Sequence, residues 1–205
     1  DASIKMDYEH SLALGSGFRV GFLGLLHLDV FRQRLEDEYD QDILITNPSV
    51  PYRCTLKNDT QVIVENAISA PKREDIKSWE EIFVMATIIT PKQFYSGINR
   101  LCLEKRGDEI DYEEIDDEHL KLIYEIPLAE IVTDFFDKMK SLSEGYASLD
   151  YEISGYREAD IKVLGFLLNG ELIDALSFLV NSENAERKAK NFCKKLKDNI
   201  PQSLF

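Results

Sequence analysis

The chain has 205 residues, 44% of them hydrophobic, and its 24 basic and 38 acidic side chains give a formal charge of −14. That apolar content suffices for one or two real cores, while the charge excludes attraction of nucleic acid to the molecule as a whole, because phosphate contacts need local cations. The three cysteines, Cys54, Cys102 and Cys193, form neither a CxxC metal pair nor a disulfide framework, and no apolar run approaches the roughly 20 residues of a membrane helix.

Ser3–Leu14 reads as a strand with polar alternation (Ile4, Met6, Tyr8). LGSGFRVGFLGLLHLDVFRQRLEDEY follows, with glycines at 15, 17, 21 and 24. The spacing is GxGxxxG rather than GxGxxG, and no GK[ST] follows to place a lysine on phosphates. The glycines are therefore expected to supply a tight turn and close backbone packing where a helix begins, in preference to a nucleotide loop. Leu28, Phe31, Leu35 and Tyr39 fall at helical spacing. Ile43–Thr46 suggests a short strand, and Val50–Leu56 stays extended past Pro51. Lys57–Glu81 turns polar and reads as a linker, with Trp79 anchoring it to a neighbouring surface or meeting a partner.

Phe83–Thr90 is an apolar, β-branched run suited to a mostly buried strand. Thr90–Pro91 starts a helix whose Phe94, Ile98, Leu101 and Cys102 share a face, with Gly107 placed for a left-handed C-terminal cap. Two strands, Asp108–Ile115 and His119–Ile126, are joined by an acidic turn. A second helix runs from about Leu128 to Ser143, with Leu128, Ile131, Val132, Phe135, Met139 and Leu142 on its apolar side, and Tyr146–Ile153 is a half-buried strand. Strand, helix, strand, strand, helix, strand is the split βαβ, ferredoxin-like plan of an α+β domain with two helices on one face of an antiparallel sheet. Ser154–Ile161 reads as a connection. Asn169–Gly170 signals a type I′ hairpin. The last helix, about Ser182 to Asn199 and capped by Ser182, turns Ala185, Ala189, Phe192, Cys193 and Leu196 inward and Lys188, Lys190, Lys194, Lys195 and Lys197 mainly outward. Those lysines are either a solvated face or a nucleic-acid contact.

Charge is segregated along the chain. Glu104–Glu125 holds ten carboxylates against three cations, whereas Asn181–Phe205 holds six cations against three acids. No catalytic constellation is present. His10, His27 and His119 lack metal-ligand spacing, and the acids of 108–118 cannot converge, because consecutive strand residues point to opposite faces. Ser148 and Asp150 have no histidine partner nearby and no GxSxG elbow. Beginning at Asp and ending at Leu204–Phe205 without a visible signal peptide, the sequence is expected to be a piece of something longer.

GFRVGFLGLLHLDVFRQRLEDEY, RLCLEKRG, IPLAEIVTDFFDKMKSLSEGYASLDYE and NGELIDALSFLV, in this order, resemble the C-terminal half of LepA-type translational GTPases, the elongation factor four or back-translocase family. VFRQRLEDEY followed by ITNPSVPY is closer to eukaryotic organellar members than to bacterial ones. The resemblance implies a partial ferredoxin-like third domain at 1–56 lacking its first strand and helix, a linker at 57–81, a fifth-type ferredoxin-like domain at 82–156, and the start of a family-specific C-terminal α+β domain at 157–205. It implies a noncatalytic, ribosome-binding arm of a factor acting on translocation and elongation fidelity. GTP and Mg would sit in a GTPase domain elsewhere in the parent, next to a β-barrel domain, and this region holds no cofactor. The implied partners are ribosomal RNA, ribosomal proteins and tRNA, in the mitochondrial matrix with peripheral membrane association, or in a plastid or bacterial cytoplasm. Arg19, His27, Lys105, Arg106, Lys140, Ser143 and Arg157 are the candidate ribosome contacts. The competing reading is a protein-interaction or ligand-sensing module built on tandem ferredoxin-like domains.

Overall fold

The computed structural model describes residues 4–11, 15–22, 25–41, 43, 45, 49–173 and 176–199. They fall into two compact units, residues 1–47 with 165–177 and residues 48–164 with 178–205.

In the first unit, β1 (Lys5–Ser11) and β2 (Gly15–Gly21) form an antiparallel hairpin in register from Lys5↔Gly21 to Ser11↔Gly15. The glycine-rich run is thus a strand and neither a turn nor a phosphate loop. Each of Gly15, Gly17 and Gly21 lies opposite a β1 residue, so the backbone amides that would cradle an anion belong to an extended strand. Gly24 lies outside the described residues. The cross-strand pair Tyr8–Phe18 packs edge to face at 5.8 Å. Helix α1 (Leu25–Tyr39) follows, as the spacing predicts. The expected strand at 43–46 lies partly outside the described residues.

The second unit is organised on a long strand, here β5. β3 (Tyr52–Leu56) and β4 (Gln61–Val64) pair as a hairpin, and β5 runs from Ile76 to Pro91. Next come α2 (Tyr95–Glu104), β6 (Asp108–Glu114) and β7 (His119–Pro127). A helical run composed of α3 (Leu128–Glu130), a π-helical turn (Ile131–Phe135) and α4 (Phe136–Leu142) leads to β8 (Ser148–Ala159). The sheet order β6-β7-β5-β8, antiparallel throughout, is the ferredoxin-like α+β arrangement. Along the β5 edge opposite β8, β3 pairs with residues 76–81 and β7 takes over from Phe83. Residues 57–81 therefore contain β4 and the start of β5, where polarity suggests a linker. Most of these positions face solvent, which lowers their hydrophobicity without ending the sheet.

Val84, Ala86 and Ile88 of β5 and Leu120, Leu122, Tyr124 and Ile126 of β7 meet Ile98, Leu101 and Cys102 of α2 and Ile131, Phe135 and Met139 of the helical run in one core. A second core joins Val50, Tyr52, Cys54, Val64, Trp79 and Ile161. β8 extends six residues past Ile153, through a bulge where Phe83 pairs with Gly155 and Val84 with Ile153, so the expected connection at 154–159 is sheet. β9 (Ile161–Leu164) pairs with β12 (Phe178–Asn181), which feeds α5 (Ser182–Asn199). In the first unit β10 (Leu167–Leu168) and β11 (Glu171–Leu172) flank Asn169 (φ 52°) and Gly170 (φ 87°), the expected type I′ turn.

Candidate functional site

Helix α2 ends at Glu104 with Lys105 as its C-cap, and the chain leaves it in a Schellman turn: Arg106 N–H bonds Leu103 O at 3.1 Å and Gly107 N–H bonds Cys102 O at 2.8 Å. The left-handed residue is Arg106 (φ 60°), not Gly107. Gly107 is needed for a different reason, since a Cβ there would sit 2.7 Å from Ile126 Cγ1 and 2.9 Å from the Cys102 carbonyl. The turn thus places an arginine where glycine is usual, and its side chain explains why.

Arg106 grips Glu81 of β5 with both terminal nitrogens, at 2.7 and 3.0 Å, and its Nε reaches Glu130 at 3.3 Å. Both carboxylates are buried, Glu81 at 2% and Glu130 at 2% exposure. Lys105 bonds Asp134 at 2.7 Å and lies 3.9 Å from Glu130; Lys138 holds the other oxygen of Asp134 at 2.7 Å. The π turn spans residues 131–135, so Glu130 flanks it and Asp134 sits in it. Asn181 donates to Glu81 at 3.1 Å and Asn184 donates to Glu130. Asn181 also accepts the Glu183 N–H at 3.0 Å, making it the side-chain cap of α5 where Ser182 is expected. A single buried polar network therefore ties β5, α2, the helical run and α5 together.

Its electrostatics are mutually consistent. Burial disfavours the Arg106 charge, yet Glu81 and then Glu130 hold it above its ordinary range. Burial would also raise Asp134, but Lys105 and Lys138 outweigh it and keep that carboxyl well below the usual carboxylate range. Lys188, half-buried on the inner side of α5 and not outward as its spacing suggests, is pushed down by burial against the pull of Glu130, and further by Lys105, Arg106 and Arg187.

The other face of α5 is open. Arg187, Lys190, Lys194 and Lys197 recur at i, i+3, i+7 and i+10, and all four are exposed, although Lys190 pairs with Glu186 and Arg187 donates to Asn184, each at 2.5 Å. Ala185, Ala189, Phe192 and Leu196 are half-buried beneath them, with Phe192 against Phe178 at 5.8 Å. Cys193 is exposed, although its spacing assigns it to the core.

The candidate contact residues are not brought together. Arg19 lies in β2, opposite Asp7. His27, in α1, packs edge to face on Phe22 at 5.5 Å. Lys105 and Arg106 are committed to the network, so a phosphate would have to displace a carboxylate to reach them. Lys140 donates to Gly145 O at 3.1 Å, and Ser143 is fully buried, its Oγ accepting the Ala147 N–H at 3.0 Å. Arg157 pairs with Glu125 and lies 4.8 Å above the Phe83 ring. The basic residues of α5, a weak signal by sequence alone, form an aligned cationic stripe. An open cleft of about 610 Å³ lies between Pro91, Lys92, Gln93, Glu118, His119, Glu144 and Tyr146. Lys92 is paired there with Glu114, and His119 is bonded to Asp116. No group of three or more potential metal ligands occurs among the described residues.

The family model for the elongation factor G C-terminus matches residues 79–165, a span that coincides with the ferredoxin-like body. Elongation factor 4 from Alkaliphilus oremlandii is 45% identical over all 205 residues, that from Acetivibrio thermocellus 47%, and that from Mycoplasmopsis pulmonis 48%. In each case the chain covers 34% of the relative, so it spans about a third of the proteins it matches. A crystal structure of a Thermus thermophilus protein superposes with a TM-score of 0.54 over 75% of this chain and 36% of that one, at 15% identity, which is a likeness of fold.

Proposed function

Because the chain belongs to the elongation factor 4 (LepA) family, we propose that it is a noncatalytic, ribosome-gripping region of a GTP-dependent translation factor. The observation that carries this reading is the stripe Arg187, Lys190, Lys194 and Lys197 on a chain of net charge −14. Local cations of this kind neutralise RNA phosphates, and a helix locked to a rigid body holds them in register. GTP binding and hydrolysis belong to other parts of the parent protein, and no step of that chemistry runs through these residues. Arg19, Lys140 and Arg157 remain secondary contacts in this reading. The resemblance of VFRQRLEDEY and ITNPSVPY to organellar members supports placement in the mitochondrial matrix, with a plastid or bacterial cytoplasm as the alternative, and fractionation checks it.

The test is co-sedimentation of the chain with purified ribosomes across a salt series. Binding should weaken with salt, and each phosphate contact removed should lower the log–log salt slope by about 0.7–0.9. The Lys190→Glu, Lys194→Glu, Lys197→Glu triple variant should therefore lose both affinity and slope. Equal sedimentation of wild type and triple variant would overturn the assignment to α5, and no sedimentation at low salt would overturn ribosome binding itself.

A further inference from the structure

The helices α2 and α4 cover one face of β6-β7-β5-β8, and among the described residues no helix packs on the other. Register fixes what that open face displays. Phe83, Met85, Thr87 and Ile89 alternate along β5 on the side opposite the core residues Val84, Ala86 and Ile88. Ile123 of β7 stands across from Thr87. These side chains form an apolar stripe that is half-buried at best, with Ile89 41% exposed.

Acids flank the stripe on both sides. Asp108, Asp111 and Glu113 of β6 stand opposite Glu125, Ile123 and Lys121, and Glu152 and Asp150 of β8 stand opposite Met85 and Thr87. The face also carries two cations, and both are taken: Lys121 pairs with Glu113 at 3.3 Å and Arg157 with Glu125. Asp108, Asp111, Asp150 and Glu152 have no cation within ion-pair distance among the described residues. Rows of unpaired carboxylates repel RNA, while an apolar strip between them offers area to a polypeptide.

We propose that this open face is a docking surface for a lysine- or arginine-rich polypeptide segment with interspersed apolar residues, contributed by a protein partner. The apolar residues of the segment lie along Met85, Thr87, Ile89 and Ile123. Its cations reach the acids of β6 on one side and of β8 on the other, so charge sets orientation and encounter rate while the stripe supplies contact area. The surface lies outside the α5 stripe and acts independently of it.

The probe is a synthetic peptide of alternating lysine and leucine, titrated into isotopically labelled chain and followed by amide chemical shifts. A peptide of alternating glutamate and leucine and a single-stranded uridine oligonucleotide serve as comparators. The expected result is shifts centred on residues 83–89 and 121–125 for the lysine peptide alone, weakening with salt. The Asp108→Lys, Glu152→Lys double variant, whose two side chains are exposed, should keep the thermal midpoint and bind the lysine peptide at least tenfold more weakly. Shifts centred instead on the acidic turn 116–118, an unchanged affinity in the double variant, absence of binding, or the oligonucleotide occupying the same residues would each overturn the proposal. Any of these leaves ribosome co-sedimentation through α5 unaffected, so the two readings fail separately.

Discussion

Arg106→Ala should be among the most damaging single changes available to this chain. The substitution strands Glu81 and Glu130, 2% and 2% exposed, without their guanidinium, which is 15% exposed in the pair. Leaving a buried charge without its partner costs about 3–5 kcal/mol, set against a total stability of roughly 5–15 kcal/mol for a folded domain. Backbone strain adds a second, separable effect. Arg106 holds φ 60°, and left-handed backbone costs a residue with a Cβ about 1–2 kcal/mol. Arg106→Gly loses the same ion pairs but sheds that strain, so it should be less damaging than Arg106→Ala by about 1 kcal/mol. Denaturant unfolding followed by the single tryptophan, Trp79, buried in the second core two residues before Glu81, reports both. Glu81→Gln sharpens the test: alone it weakens the network, but in the Arg106→Ala background it should restore stability, since what remains there is an unpaired carboxylate. An Arg106→Ala loss below about 1 kcal/mol, which is the scale of a surface pair, or a Glu81→Gln effect of the same sign in both backgrounds, would refute the buried-network account.

Gly107→Ala should cost about 1–3 kcal/mol by overpacking against Ile126 and the Cys102 carbonyl, measured by the same unfolding curve. Asp134 has a folded-state pKa below its unfolded value of about 3.9. Its contribution is therefore complete above about pH 4 and is lost as the pH falls towards the folded value, and Asp134→Asn should flatten this acid limb of the stability–pH profile. Lys188, pushed down by burial, works the other way: stability should rise as the pH climbs from its folded value towards about 10.4, and Lys188→Met should raise the midpoint at pH 7 and remove that rise. Of the three cysteines, Cys193 should react promptly with a thiol reagent in the native chain, while Cys54 and Cys102 react only on unfolding. Burial pushes the Cys102 thiol up to about 12, which slows it further.

The ferredoxin-like body was legible because its signals are local and redundant. Phe83–Thr90 is apolar and β-branched, and the two helices carry clear faces at Ile98–Leu101–Cys102 and Ile131–Phe135–Met139; outside that body, Asn169–Gly170 is a turn by its own chemistry. What escaped was non-local. Glu81 and Glu130 look like surface acids, and only the fold brings Arg106 to them across 25 and 24 residues of sequence. Gly107 draws the left-handed assignment because glycine is the usual cap, whereas Ile126, distant in sequence, is what forbids a Cβ there. The same holds for Lys105 and Arg106 as candidate contacts. At a helix C-terminus they suit the dipole and read as surface, yet partners contributed by β5 and by residues 130–134 bury them. Polarity misleads in the opposite direction at 57–81 and 154–159, where strands with one wet face resemble linkers.

The chemistry of the network bears on how an acidic chain can present a basic helix at all. α5 begins beside two buried carboxylates, and a lysine or arginine at its first turn would be the obvious partner. The chain uses asparagines instead: Asn181 and Asn184 donate to Glu81 and Glu130 without adding charge, while Arg106 supplies the neutralising cation from the end of α2. Fixing the helix by amides leaves Lys194 and Lys197 for the outer stripe while Arg187 supports the Asn184 amide from outside, and Lys188, which turns inward, bears the desolvation this arrangement otherwise avoids. Asn184→Asp puts the point to the test. It keeps the shape and the bond from Arg187, but it replaces the amide that donates to Glu130 with a carboxylate oxygen, so it should loosen α5 and speed amide exchange along 182–199 while leaving exchange in β5 and β7 near its original rate. Unchanged exchange in α5 would mean that the helix is held by Phe192 and its apolar neighbours alone, and that the asparagines merely fill space.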